Sequence, residues 1–154
     1  MSRTKYVSLS PALWKKRQFK QIVDSDCKAA LLALYLRTNT RINMCGLYEV
    51  AVDTIRKETG LGEDVEECMN VLIELDYCRY DFESEYVWVI DMATTQVPGF
   101  PNSSNKQLMG VHNVLTRLYE EEAPFVLDFI HHYRDRFEID EEKVTVLEYK
   151  LEPD

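Results

Sequence analysis

The stretch DTIRKETGLGEDVEECMNVLIELDYCRYDFESEYVWVI, residues 53–90, decides the fold. Its start predicts a short helix over residues 54–59, because Asp53 is a suitable N-cap and Gly60 a suitable stop. A longer helix is predicted over residues 63–75. Its apolar residues recur at the spacing of one helical face: Val65, Cys68, Met69, Leu72 and Leu75. Two helices joined by a tight glycine-containing turn indicate a helix-turn-helix.

The end of the stretch predicts a β-hairpin with a turn near Glu83 and Ser84. Apolar residues alternate with others on both arms, as in strands that bury one face. The expected buried residues are Cys78, Tyr80 and Phe82 on the first arm and Tyr86, Trp88 and Ile90 on the second. Helices followed by such a hairpin predict a winged helix-turn-helix.

The sequence before this stretch extends the same domain. An apolar helix is predicted over residues 25–38, capped by Asp24 or Ser25, and a short strand over residues 47–50. Residues 1–24 are expected to be an irregular basic leader that packs on the core through Leu13, Trp14 and Phe19. The winged-helix domain is therefore expected to span residues 25–91.

The sequence after the stretch predicts a linker and a helical hairpin. Residues 92–105, MATTQVPGFPNSSN, have the composition of a linker. Two helices are expected over residues 106–137, the first capped by Ser104 or Asn105 and the second beginning near Pro124. Residues 138–154 are acidic and fit either an extra strand or a helix. The expected fold class is therefore α+β and mainly helical.

Composition excludes several classes of protein. The chain has 154 residues and a net charge of −9, and no apolar run approaches the roughly 18 residues of a membrane span. A soluble, cytoplasmic protein without a membrane partner is expected. The four cysteines lack metal-ligand spacing and are expected to be buried or half-buried reduced thiols, with no metal and no cofactor.

Charge is distributed unevenly along the chain. Residues 1–20 carry a charge of +6 and contain no acid, whereas the remaining residues carry −15. Nucleic acid is bound by neutralising phosphates, so the candidate nucleic-acid-binding residues are the basic ones of the leader, the short helix and the hairpin. They are Arg3, Lys5, Lys15, Lys16, Arg17, Lys20, Arg56, Lys57 and Arg79.

The outward face of the helix over residues 63–75 carries negative charge, which is unsuited to binding phosphates. An advance of about 100° per residue from Val65 places Glu63, Glu67, Asn70 and Glu74 on that face, with Glu66 beside it. Carboxylates at that position would meet phosphates, and each close pair costs about 1 kcal/mol. Two interpretations remain open: a solvated face, or a functional surface that binds a basic protein or mimics the charge of nucleic acid.

Motifs of catalysis are absent from the sequence. It contains no phosphate-binding glycine loop, HExxH or GxSxG, and no carboxylate or nucleophile lies beside His131 and His132 in a recognisable motif. No catalytic residue is assigned, and a non-enzymatic protein is expected.

An ordered series of residues resembles one family. Trp14, residues 30–39, Gly46-Leu47-Tyr48 and residues 54–61 resemble the N-terminal winged-helix domain of phage replisome organisers and DnaD-like primosome proteins. The residues around Tyr80 and Trp88 and the block from Ser103 to Tyr133 continue the resemblance, which covers residues 10–135. It implies a non-enzymatic role in phage or prophage replication, with DNA binding, helicase recruitment and self-association.

Three functions follow as hypotheses. The first is a replication-related module that acts through contacts with a replication or host protein and binds DNA weakly. The second is an acidic phage inhibitor of a host nucleic-acid-binding protein, such as an anti-defence protein or antirepressor. The third, a transcription regulator, is disfavoured by the acidic helix. Whether the chain forms a homodimer is left open.

Overall fold

The computed structural model describes residues 6–136, which form a mainly helical α+β fold with one three-stranded antiparallel sheet. A 3₁₀ helix, Pro11–Lys15, precedes α1 (Arg17–Ser25) and α2 (Cys27–Thr38). Strand β1 (Leu47–Glu49) leads to α3 (Val52–Thr59), a 3₁₀ turn and α4 (Val65–Glu74). Strands β2 (Cys78–Asp81) and β3 (Tyr86–Val89) are followed by α5 (Met92–Gln96), α6 (Asn105–Glu120) and α7 (Val126–Arg136).

From Pro11 to Asp24 the leader is helical apart from Lys16, not irregular as predicted, whereas residues 6–10 form neither helix nor strand. Helix α1 is polar apart from a narrow stripe through which Phe19 and Ile22 are buried. The chain breaks at Asp26, whose carboxylate accepts the backbone N–H of Lys28 and so caps α2. The predicted caps Asp24 and Ser25 are instead the last residues of α1. Of the three expected anchors, Leu13 and Phe19 are buried, whereas Trp14 is 61% exposed.

Both helices predicted within residues 53–75 are present, but each begins at a different residue from the one predicted. Helix α3 begins at Val52, and its N-terminal N–H is bound by the carboxylate of Glu85 from the β2–β3 turn, at 2.7 Å. The prediction that Asp53 caps this helix is therefore wrong. Gly60 ends it in the left-handed region, as predicted. Helix α4 starts at Val65 because residues 62–64 form a 3₁₀ turn.

The sheet is covered on both faces. Its strand order is β1-β3-β2, with Leu47 paired to Trp88 and Tyr80 paired to Val87. Val87 belongs to the core formed with α1, α2 and α4, while Leu47 and Trp88 belong to a second core formed with α6 and α7. Both sets of alternate residues on β3 are therefore buried, so the expectation of a single buried face is only half right. Phe82, expected to be buried, is 43% exposed.

Residues 92–105 pack into the second core, although a linker was predicted there. They contain α5, and Ala93, Val97 and Phe100 are buried between the sheet and the last two helices. Helix α6 begins with the expected Ser104 cap, which forms a reciprocal capping box with Gln107. Helix α7 starts two residues after Pro124. The predictions for residues 137–154 lie outside the described residues.

Within residues 6–136, no helix is both long enough and apolar enough to cross a bilayer. The same residues hold no group of three or more histidine, cysteine or acidic side chains placed to bind a metal ion. All four cysteines are free thiols. Three are buried, and Cys27, contrary to expectation, is exposed.

Candidate functional site

The acidic face consists of Glu63, Glu67, Asn70 and Glu74, and all four side chains are exposed. It is held outward because the opposite side of α4 buries its apolar residues completely: Val65, Cys68, Met69 and Leu72. None of the three carboxylates forms a side-chain hydrogen bond or ion pair with another residue of the described region. The face thus presents three negative charges to solvent without a neutralising partner.

Two of the predicted nucleic-acid-binding arginines are already paired with carboxylates. Arg56 lies between Asp53, at 2.9 Å, and Glu66 of α4. Arg79 binds Asp76 at 2.9 Å. Phosphate would have to compete with these carboxylates for both guanidinium groups.

The remaining predicted cation of this region, Lys57, is exposed and forms no ion pair within residues 6–136. Near the start of α4, Asp64 binds Lys28 at 2.9 Å. Pairs of this kind between exposed groups contribute only about 0–1 kcal/mol to stability. Their effect here is to lower the number of free cations beside the acidic face.

The β2–β3 turn is acidic and internally bonded. Asp81 accepts the backbone N–H of Glu83 and the hydroxyl of Ser84, which lower the pKa of Asp81 below its usual value. Glu85 binds the N-terminus of α3. The turn therefore offers no cation that could grip a phosphate.

The basic face consists of Lys15, Lys16, Arg17 and Lys20, together with Trp14, on the 3₁₀ helix and α1. All five side chains are exposed, and the four cations form no ion pair with any other described residue. The ring of Trp14 stands edge-on to the buried Phe19, with 5.2 Å between centroids. Beside it, a groove of about 310 Å³ runs past Lys20 and Val23. The two other candidate cations of the leader, Arg3 and Lys5, lie outside the described residues.

The sequence did not predict the buried arginine of α2. Nε of Arg37 donates to the hydroxyl of Tyr77 at 2.7 Å, and this hydroxyl donates to the carbonyl of Ala33 at 2.7 Å. The guanidinium also lies 5.2 Å from the centroid of the Tyr77 ring. Burial raises the pKa of Tyr77 to about 12, although the charge of Arg37 opposes the increase. This cluster joins α2 to the residue before β2 and is structural.

The structure places a carboxylate beside one of the two adjacent histidines. Nε2 of His132 lies 2.9 Å from Oδ1 of Asp91, which comes directly before α5. The two residues are 41 positions apart, so no local motif could have revealed the pair. The described side chains that line the neighbouring cavity include no serine, threonine, cysteine or lysine.

No protein-family model, curated protein or solved structure matches this chain.

Proposed function

We propose that the protein is a non-enzymatic winged-helix module of the phage replisome-organiser type, which acts mainly through protein contacts and binds nucleic acid weakly. Two features support the winged helix. The elements follow the order helix, strand, helix, helix, hairpin, and the sheet has the order β1-β3-β2. The role in replication is supported by the family resemblance of residues 10–135.

The observation that carries the proposal is the acidic face of α4. In a winged helix, the helix at this position enters the major groove. Here Glu67 and Glu74 on its exposed side, and Glu63 in the turn before it, have no partner among the described residues, and Arg56 is already bound by Glu66. A basic surface on another protein is complementary to this charge, whereas duplex DNA is not.

The basic face accounts for the weak nucleic-acid binding. Four free cations that each contact one phosphate would give a salt dependence of affinity with a slope of about −3.6 on duplex DNA. The exposed ring of Trp14 supplies a surface on which an unpaired base can stack. Binding at this face is expected to be independent of sequence, because contacts between its cations and phosphates carry no sequence information.

Fluorescence anisotropy with labelled duplex and single-stranded DNA over a series of salt concentrations tests the nucleic-acid part. We expect weak binding that falls steeply with salt and is lost in Lys15→Ala/Lys16→Ala/Arg17→Ala. The variant Lys106→Ala, on α6, should bind like the wild type. Tight duplex binding that disappears in Asn70→Ala would instead favour a transcription regulator.

Affinity capture from host extract tests the protein part, with Glu67→Gln/Glu74→Gln as the matched variant. A partner identified by mass spectrometry should bind the wild type, lose affinity for the variant and rebind when both proteins are purified. The alternative function, an inhibitor of a host nucleic-acid-binding protein, is favoured by the same unpaired carboxylates. It is distinguished by a competition assay: an inhibitor displaces DNA from its partner, whereas a replication module does not. Equal capture of the partner by the wild type and by the variant would contradict both functions.

A further inference from the structure

A second candidate site shares no residue with the acidic face. It is a cavity of about 550 Å³ bounded by α1, the start of β2, the end of β3 and one side of α7. A volume of this size is typical of sites that hold a small molecule or a peptide side chain. The proposed function does not use this cavity.

The cavity is lined by more negative than positive charge. It contains four aspartates, and three of them are paired: Asp76 with Arg79 at 2.9 Å, Asp91 with His132 at 2.9 Å and Asp135 with Arg134 at 3.7 Å. The fourth, Asp128 in the first turn of α7, has a side chain that forms no hydrogen bond or ion pair within residues 6–136. A positively charged group in the cavity would therefore find one free carboxylate and three more close by.

The remaining wall is apolar and aromatic, formed by Trp88, Ile90 and Phe125. Trp88 is only 4% exposed, and its indole N–H is buried without an acceptor among the described residues. This buried donor has no part in the choice of ligand, because an arginine or lysine side chain offers it no acceptor. The edge-to-face contact of Trp88 with His132, at 5.4 Å between centroids, joins the aromatic wall to the charged one.

The backbone is also unusual around the cavity. Three lining residues, Asp76, Asp91 and Phe125, have φ values of 59°, 67° and 72°, in the left-handed region that side chains other than glycine rarely adopt. Phe125 is the least expected of the three because its side chain is bulky. These conformations set the directions of two of the carboxylates and one of the aromatic rings.

We propose that this cavity binds the basic side chain of a peptide, an arginine or a lysine. The aliphatic stem of such a side chain packs on Ile90 and Phe125, and its charged end lies near Asp128. Aromatic rings favour cations as well as apolar groups, so Trp88 and Phe125 suit both parts of the ligand. An anion is disfavoured by the aspartates, and a purely apolar ligand would leave Asp128 desolvated without compensation.

Tryptophan fluorescence gives a direct test, because the chain has two tryptophans and only Trp88 lines the cavity. In a Trp14→Phe variant, Trp88 becomes the sole reporter, and circular dichroism checks that the exposed substitution leaves the fold intact. The probe is acetyl-Gly-Gly-Arg-Gly-Gly-amide, and its control is the same peptide with neutral citrulline in place of arginine. We expect a saturable change in emission with the arginine peptide and none with the citrulline peptide.

Substitution of the free carboxylate completes the test. Asp128→Asn should weaken the arginine peptide about two- to fivefold, whereas Glu120→Gln, at an exposed position of α6, should leave its affinity unchanged. Isothermal titration calorimetry of the wild-type protein provides an independent measurement of the same affinity. The proposal is overturned by the absence of saturable binding, by equal binding of the citrulline peptide, or by an unchanged affinity in Asp128→Asn. Binding of spermidine without binding of the arginine peptide would also overturn it, since the site would then take a free polyamine. None of these outcomes bears on Glu67 or Glu74, so the failure of this proposal and of the proposed function are distinguishable.

Discussion

Reversal of charge on the acidic face should turn α4 into a duplex-binding helix. The variant Glu67→Lys/Glu74→Lys replaces two exposed carboxylates that have no ion-pair partner among the described residues. The two positions are seven residues apart, or about 10 Å along the helix, and lie on the same side. Neither side chain contributes to the core, so the fold should be unchanged.

The size of the effect follows from the charges. At about 4 Å a carboxylate and a phosphate repel each other by about 1 kcal/mol in water, and a lysine gains a similar amount. Two positions therefore change the interaction by about 4 kcal/mol before screening, and by about 2–3 kcal/mol at 0.1 M salt. This corresponds to a gain in duplex affinity of about 30- to 160-fold. The slope of log affinity against log salt should become steeper by about 1.8.

Fluorescence anisotropy with a labelled duplex at several salt concentrations measures both quantities. The matched control is Glu120→Lys/Glu122→Lys, which changes the net charge by the same amount at two other exposed positions, the last residue of α6 and the loop that follows it. An equal gain in both variants would show that only net charge matters and would refute the argument from the position of α4. Tight duplex binding by the wild type that the reversal weakens would refute it more directly.

Three further predictions concern the stability of the fold, and urea denaturation measures each. Tyr77→Phe should lower the free energy of unfolding by about 2–3 kcal/mol, because it removes two buried hydrogen bonds, one of them to a guanidinium. The control Tyr119→Phe, at a more exposed site, should cost little. Equal losses in the two variants would contradict the role given to the buried hydroxyl of Tyr77. Burial raises the pKa values of Tyr77 and Cys78 to about 12 in the folded protein, so these groups ionise at lower pH in the unfolded chain. The free energy of unfolding should therefore be constant below about pH 9 and decrease as the pH rises from about 9 to 12. A free energy of unfolding that increases over this range would contradict the assignment. Gly46→Ala should destabilise the fold more than Gly60→Ala, although both residues have positive φ. The new methyl group would lie 2.7 Å from the side chain of Met92 at position 46 and in open space at position 60, where the change should cost about 1 kcal/mol. Similar losses at both positions would show that the close contact with Met92 relaxes freely.

The sequence predicted the elements whose side-chain pattern is strong. Helix α4 was predicted because its apolar residues repeat at helical spacing, and the hairpin because Cys78 and Tyr80 alternate with charged residues. The exposure of Glu67 and Glu74 follows from the same periodicity, so the acidic face could be predicted in outline. Whether it binds a partner stays a prediction.

Features that depend on contacts distant in sequence were missed. Helix α1 buries only Phe19 and Ile22, too few apolar residues to stand out against its polar ones. The sequence around Pro98 and Pro101 resembles a linker, yet its few apolar side chains complete the second core. The pairing of Arg56 with Glu66 and the cavity near His132 both join elements whose approach no local pattern encodes.

The three-stranded sheet contributes one face to each of two hydrophobic cores. This limits where the chain can be truncated or recombined with another protein. Removal of everything after residue 91 would uncover Leu47 and Trp88, two large apolar side chains that α6 and α7 now keep from water. A grafted pair of helices would have to match the shape of those two side chains, whatever the rest of its sequence. The last two helices are thus exchangeable only together with one face of the three-stranded sheet.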